Sequence, residues 1–212
     1  MRENSGRLLF IVIFFLFAGC INLKQPGIRI SYYSLDYSPP AFKGLKKIPT
    51  VIRVNEFMSA PDYSSAKIIY GKSPFQKNAY VYHRWRSLPS DLVTGFLIRD
   101  LRNASLFEGI LEGVSSISPP YMIEGRVDEF YEKDEEDGWK AVLSLSITLT
   151  AEKPGETSPF VIFQRQYKTE RVCPGKHPEA LAEAMSSAME SLSTDIIKDV
   201  YKEISSWMKQ RL

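Results

Sequence analysis

Ala141-Val142-Leu143-Ser144-Leu145-Ser146-Ile147-Thr148-Leu149 alternates, apart from Val142, between apolar and hydroxyl-bearing residues. Successive side chains of a strand point to opposite faces. Ala141, Leu143, Leu145, Ile147 and Leu149 therefore share one face, and Val142, Ser144, Ser146 and Thr148 share the other. An apolar face backed by a largely hydroxyl-bearing one predicts a half-buried antiparallel strand whose second side is wet. Upstream, Tyr121 to Phe130 reads as a strand, and Glu132-Lys133-Asp134-Glu135-Glu136-Asp137-Gly138 reads as the hairpin tip between the two. A calcium loop is the sharper alternative for that acidic run, but the EF-hand spacing with its Glu at position 12 is missing. Downstream, Pro154-Gly155 marks a turn and Phe160 to Thr169 a third strand.

Outside this group the period changes. From Pro178, Leu181, Met185, Ala188, Leu192, Ile196, Val200, Ile204 and Trp207 or Met208 recur every three or four residues. That stripe predicts a helix of about thirty residues packed across a sheet. Its polar face mixes Glu183, Glu190, Asp195 and Asp199 with lysines, unlike a basic helix lying on a membrane. An earlier helix starts at Ser87 and Pro89 and carries Leu92, Val93, Phe96, Leu97 and Leu101 on one face. Arg99 and Arg102 suit its last turn, and Asn103 is the expected left-handed closing residue. Leu106 and Phe107 return the chain to the core, and 109–120, with two Gly, three Ser and Pro119-Pro120, reads as a connection. Towards the N-terminus, strand-favouring residues run from Arg29 to Tyr37, from Val51 to near Pro61, from Lys67 to Tyr70 and from Ala79 to Trp85. The element order is several strands, a helix, three strands and a long C-terminal helix, all within one domain over 29–212.

The 212 residues carry 27 Lys+Arg against 25 Asp+Glu, a formal charge of +2. With 44% hydrophobic and 25% charged residues the chain has an ordinary globular composition. The balance argues against nucleic-acid binding, which needs a concentrated basic surplus.

The first 28 residues have a different character. Arg2 and Arg7 precede ten consecutive apolar residues, Leu8 to Phe17, followed by Ala18, Gly19 and Cys20. That is the three-part layout of a secretory signal peptide. Ten residues rise about 15 Å as a helix, half the bilayer core, so the run is too short to span. Phe17-Ala18-Gly19-Cys20 resembles the bacterial lipobox. The resemblance implies cleavage between Gly19 and Cys20, a diacylglycerol on the Cys20 thiol and an acyl chain on the new amine. On that reading 1–19 is the signal peptide and 20–28 a lipidated tether, and no other cofactor is expected. Two or more acyl chains anchor stably where one does not. The lipobox resemblance further implies that Ile21, where in enteric bacteria an Asp would favour inner-membrane retention, permits the outer membrane.

Chemistry-bearing motifs are scarce. No G-x-S-x-G nucleophile elbow, G-x-G-x-x-G or H-E-x-x-H occurs. Gly71-Lys72-Ser73 looks like the end of a phosphate loop, but Ala66 stands where that motif needs Gly. With Cys20 acylated, Cys173 is the one remaining thiol, read as a small hydrophobe beside the Pro174-Gly175 turn. No Asn or Asp is placed to make a triad with His177. His83, His177, Cys173 and the Glu135-Glu136 pair are therefore not assigned to catalysis or to a metal.

Several pieces of the chain, in order, resemble one family. They are Tyr32-Tyr33-Ser34-Leu35 after the lipobox, Val54 to Pro61 (VNEFMSAP), and Lys67-Ile68-Ile69-Tyr70. Tyr82, Trp85 and Pro89 follow before the first helix, then Leu106-Phe107, Gly125-Arg126-Val127-Asp128-Glu129-Phe130, and the alternating strand. Together they are similar to the ABC-type transport auxiliary lipoproteins, the family of paraquat-inducible protein C, over about residues 30–205. The resemblance implies an α/β (α+β-like) sandwich, with a mixed, largely antiparallel sheet flanked by two main helices, the second long and C-terminal. The resemblance implies a periplasm-facing outer-membrane lipoprotein that works with an MCE-domain protein and ABC transporter components to move lipids between two membranes. It implies a docking part, ring-forming in some arrangements, rather than a pump or an enzyme. Tyr82, Trp85 and Phe107 are the candidate interface residues, with core packing as their ordinary role. An assembly lipoprotein for an outer-membrane β-barrel and a lipid-modifying enzyme are the competing readings.

Overall fold

The computed structural model describes residues 27, 29–73, 75–113, 118–152 and 158–210. Strands β1 (Ser31–Tyr33), β2 (Ile48–Val54) and β3 (Met58–Ser59) come first, followed by a 3-10 turn at Pro61–Tyr63. Then come β4 (Lys67–Ser73), β5 (Gln76–Trp85), helix α1 (Pro89–Ala104) and β6 (Phe107–Glu112). The chain ends with β7 (Tyr121–Glu135), β8 (Gly138–Ala151), β9 (Phe160–Val172) and helix α2 (Pro178–Lys209).

β7 organises the sheet. One of its edges pairs antiparallel with β8 along its whole length, and β8 pairs antiparallel with β9. The other edge is shared by three parallel neighbours in turn: β2 at 121–123, β3 at 126–127 and β4 at 131–133. β6 lies parallel beyond β2; β5 lies antiparallel beyond β4, and β1 parallel beyond β5. Forking of the sheet along one fifteen-residue strand curls it around the helices. The longest ladders are antiparallel, in a mixed sheet with two helices, the second long and C-terminal, as the family resemblance implies.

The apolar face of β8 meets α2. Ala141, Leu143, Leu145, Ile147 and Leu149 are fully buried, as are Leu181, Met185, Ala188, Ile196, Val200 and Ile204 of the helical stripe. α1 adds Val93, Leu97 and Leu101 to the same core.

Four details differ from the sequence-based expectation. The hydroxyl face of β8 is not wet. Ser144 is buried, and Ser146 and Thr148 are half-buried, under long side chains of the flanking strands. Gln166 Nε2 donates to Ser144 Oγ at 3.2 Å, Ser146 Oγ donates to Asp128 Oδ2 at 2.6 Å, and Lys168 pairs with Glu129 at 2.6 Å. The acidic run is mostly strand: β7 continues to Glu135 and β8 resumes at Gly138, so the turn is only Glu136-Asp137. The left-handed residue after α1 is Ser105 (φ 53°), not Asn103, whose side-chain amide instead donates to the Arg99 carbonyl at 2.8 Å. Residues 109–112, expected as part of a connection, belong to the edge strand Phe107–Glu112, whose two glutamates and Gly109 hide the alternation.

Candidate functional site

Cys20 and Gly19 lie outside the described residues. Of the three candidate interface aromatics, Trp85 (1% exposed) and Phe107 (4%) are core side chains, and Tyr82 (48%) alone reaches the surface. Trp85 packs edge-on against Phe130 at 5.0 Å, joining two of the sequence pieces quoted above. Phe57 and Gly125 join a third piece, 54–61, to the one that holds Phe130. A Cβ at Gly125 would lie 2.3 Å from the Phe57 ring, so the glycine is what lets that ring rest on β7. Both couplings are packing. Tyr82 belongs to an exposed apolar strip on the β1–β5 edge, with Tyr32 (59%) and Ile30.

A polar cluster lies where β1, β5, β4 and β7 meet. Tyr33 Oη is 3.0 Å from His83 Nδ1, and the Tyr80 ring stands edge-on to His83 and tilted against Tyr70. The Tyr80 hydroxyl donates to both Glu132 oxygens, at 3.1 and 3.0 Å. Burial pushes the Glu132 carboxyl up to about 7; the Tyr80 bond opposes this, and the Asp134 charge adds to it. Burial, then the Glu132 charge, pushes the Cys173 thiol up to about 11, which keeps it protonated and a poor nucleophile. Sequence reasoning missed Glu132 because its partner is 52 residues away on another strand.

A stability experiment follows from Glu132. Its folded-state pKa is raised, so between about 4.5 and 7 the folded protein holds a proton that the unfolded chain has released. Stability contributed by the protonated form is therefore lost as pH rises through this window, by on the order of 3 kcal/mol. Glu132→Gln keeps an acceptor for Tyr80 and removes the titration. Urea unfolding from pH 5 to 8 should show wild type losing stability relative to Glu132→Gln; parallel curves would show that Glu132 does not titrate there.

A second buried network joins the N-terminal segment to both helices. Asp100 is fully buried. Its Oδ2 accepts from Tyr37 at 2.7 Å and from Ser193 at 2.6 Å, and its Oδ1 accepts from Arg99 Nε at 2.9 Å. Arg99 also donates to the Tyr37 carbonyl at 3.0 Å and stacks over the Tyr37 and Phe96 rings. Burial, then the hydrogen bond to Asp100, drives the Tyr37 phenol well above its ordinary range, so it remains a donor.

His177 caps α2: its Nδ1 accepts from the Ala180 amide at 3.2 Å. Among the described residues no group of three or more His, Cys, Asp or Glu side chains could hold a metal ion. No described helix is long and apolar enough to cross a membrane. The surface does carry open polar depressions. One of about 520 Å³ lies at the β7–β8 turn between Lys72, Lys133, Lys176, Asp134, Glu135 and Glu136. Another, of about 480 Å³, runs beside the β4–β5 hairpin past Lys67, Lys77 and Phe75. These arrangements can bind and pack; they do not assemble a nucleophile with a base.

The family model described as the ABC-type transport auxiliary lipoprotein component matches residues 33–197. The chain belongs to that family. Its members are lipoproteins that serve ABC-type transport in an auxiliary role, which associates the chain with transporter components. The fold agrees. Protein XCC0632 from Xanthomonas campestris, of the DUF330 family, superposes with a TM-score of 0.76 at 14% identity, over 84% of this chain and 99% of that one. The hypothetical protein CT253 from Chlamydia trachomatis superposes with a TM-score of 0.55 at 8% identity, over 75% and 99%. At those identities the likeness concerns the fold alone. No curated protein matches the chain.

Proposed function

We propose that the chain is an outer-membrane-anchored, periplasm-facing lipoprotein that receives an MCE-domain partner of an ABC-type lipid transport system and acts by binding rather than turnover. Membership of the auxiliary lipoprotein family over 33–197 carries the reading. In it, residues 1–19 are removed, Cys20 carries diacylglycerol and an N-acyl chain, and residues 29–212 form the working domain. The local chemistry supports binding. Cys173 is buried with a raised thiol pKa, and His177 is engaged in capping a helix. The exposure of Tyr82 on the β1–β5 edge supports its role as a partner contact.

The test is extraction of the tagged full-length chain in mild detergent. An MCE-domain protein should co-purify with wild type and with Cys173→Ala, and less with Tyr82→Ala. Cys20→Ala should incorporate no labelled palmitate. Recovery of a β-barrel in place of the MCE protein, or hydrolysis of generic lipid esters, would replace this reading with one of its competitors.

A further inference from the structure

Phe75 is 97% exposed, more than any other large apolar side chain among the described residues. It sits at the tip of the hairpin between β4, which ends at Ser73, and β5, which begins at Gln76. Beside it the Lys72 side chain is 82% exposed, with only a 3.8 Å surface pairing to Asp134. At that exposure the ring buries almost no apolar surface within the domain, which leaves it available to something outside.

Strand direction says what faces this tip. β1 runs parallel to β5, with Ser31 opposite His83. The chain therefore comes into β1 from the side on which β5 begins, which is the Phe75 end. Along β5, His83 stands seven residues beyond Gln76, about 23 Å. Ten residues lie between Cys20 and Ser31, and the eleven Cα-to-Cα steps reach at most about 40 Å. The tether is thus long enough to carry Cys20 past the tip, and too short to let the domain stand far from its anchor. β4 is parallel to β7, so the Glu136-Asp137 turn lies at this same end, where Lys176 donates to the Glu136 carbonyl at 3.3 Å. Basic and acidic groups alternate there, so charge alone gives this end no strong pull towards an anionic surface.

We propose that the β4–β5 tip is a second contact with the bilayer that carries the Cys20 anchor, with Phe75 entering the interfacial region and Lys72 at the headgroups. This rests on the reading of Cys20 as the acylated residue. One phenylalanine is too little to hold a protein on a membrane. Added to an acyl anchor it fixes which end of the domain faces the lipid, and so leaves the opposite end, where β7 begins and β9 starts, turned towards the periplasm.

The experiment uses the full-length acylated chain in vesicles of phosphatidylethanolamine and phosphatidylglycerol doped with brominated phosphatidylcholine. Phe75→Trp is compared with Val161→Trp, a control at the exposed start of β9 at the opposite end, and the wild-type tryptophan emission is subtracted from both. The mass of the Cys20 fragment and flotation of the chain are recorded on the same samples. The expected result is a blue-shifted emission from the Phe75→Trp chain that bromines quench, with neither effect in the Val161→Trp control. Flotation with no quenching at position 75, or with equal quenching at both positions, overturns the proposal and leaves the anchor in place. An unmodified Cys20 with no flotation overturns the anchor reading, and the proposal with it.

Discussion

Leu145→Asp should unfold the domain or lower its stability by about 4 kcal/mol or more, a large share of the margin a typical domain possesses. Leu145 is fully buried, between β7 and β9 and beneath α2. A carboxylate there has no partner, and protonating it still leaves a buried hydroxyl and a cavity. Ser146→Asp is the informative comparison. Ser146 donates to Asp128 Oδ2 at 2.6 Å, so the new carboxylate would face an existing one on a half-buried surface. A cost of about 1–2 kcal/mol is expected, relieved by Asp128→Asn. Urea midpoints should place Leu145→Asp far below Ser146→Asp. Similar midpoints would mean that the two faces of β8 are equivalent.

Asp100→Ala should cost about 3–5 kcal/mol, because it strands the hydroxyls of Tyr37 and Ser193 and leaves Arg99 without its carboxylate. Arg99 keeps some contact with water, so the damage comes chiefly from the two hydroxyls. Removing them as well should therefore help. Asp100→Ala combined with Tyr37→Phe and Ser193→Ala should be more stable than the three single losses predict when summed. Strict additivity in denaturant titrations would show three independent contacts rather than one network.

The parts of this fold legible in the sequence are those whose evidence is local. The alternation from Ala141 to Leu149 and the stripe from Leu181 to Ile204 report burial because each element presents one continuous face to the core. β6 escaped because an edge strand with Glu108, Gly109 and Glu112 has no face to advertise. Glu132 looked like part of a solvated tip because its neighbours in sequence are charged; only a tyrosine from β5 shows that it is enclosed. The parallel pairing of β2, β3 and β4 with one edge of β7 depends on crossovers, which leave no local signature. The candidate site divides the same way. The residues behind the family resemblance, Phe57 with Gly125 and Trp85 with Phe130, are packing pairs, so they identify the fold and not the surface that acts.

The three-residue β1 has a mechanical consequence. Because it lies parallel to β5, a pull arriving from the N-terminal side runs along the ladder and loads its hydrogen bonds together in shear, instead of peeling them one by one. Directly behind it, the Asp36 amide is held by Ser186 of α2, and Tyr37 by Asp100 of α1 and, through that carboxylate, Ser193 of α2. Should β1 give way, the pull passes next to these contacts with both helices. The domain is built to bear load at its N-terminus, as a cleat holds a rope.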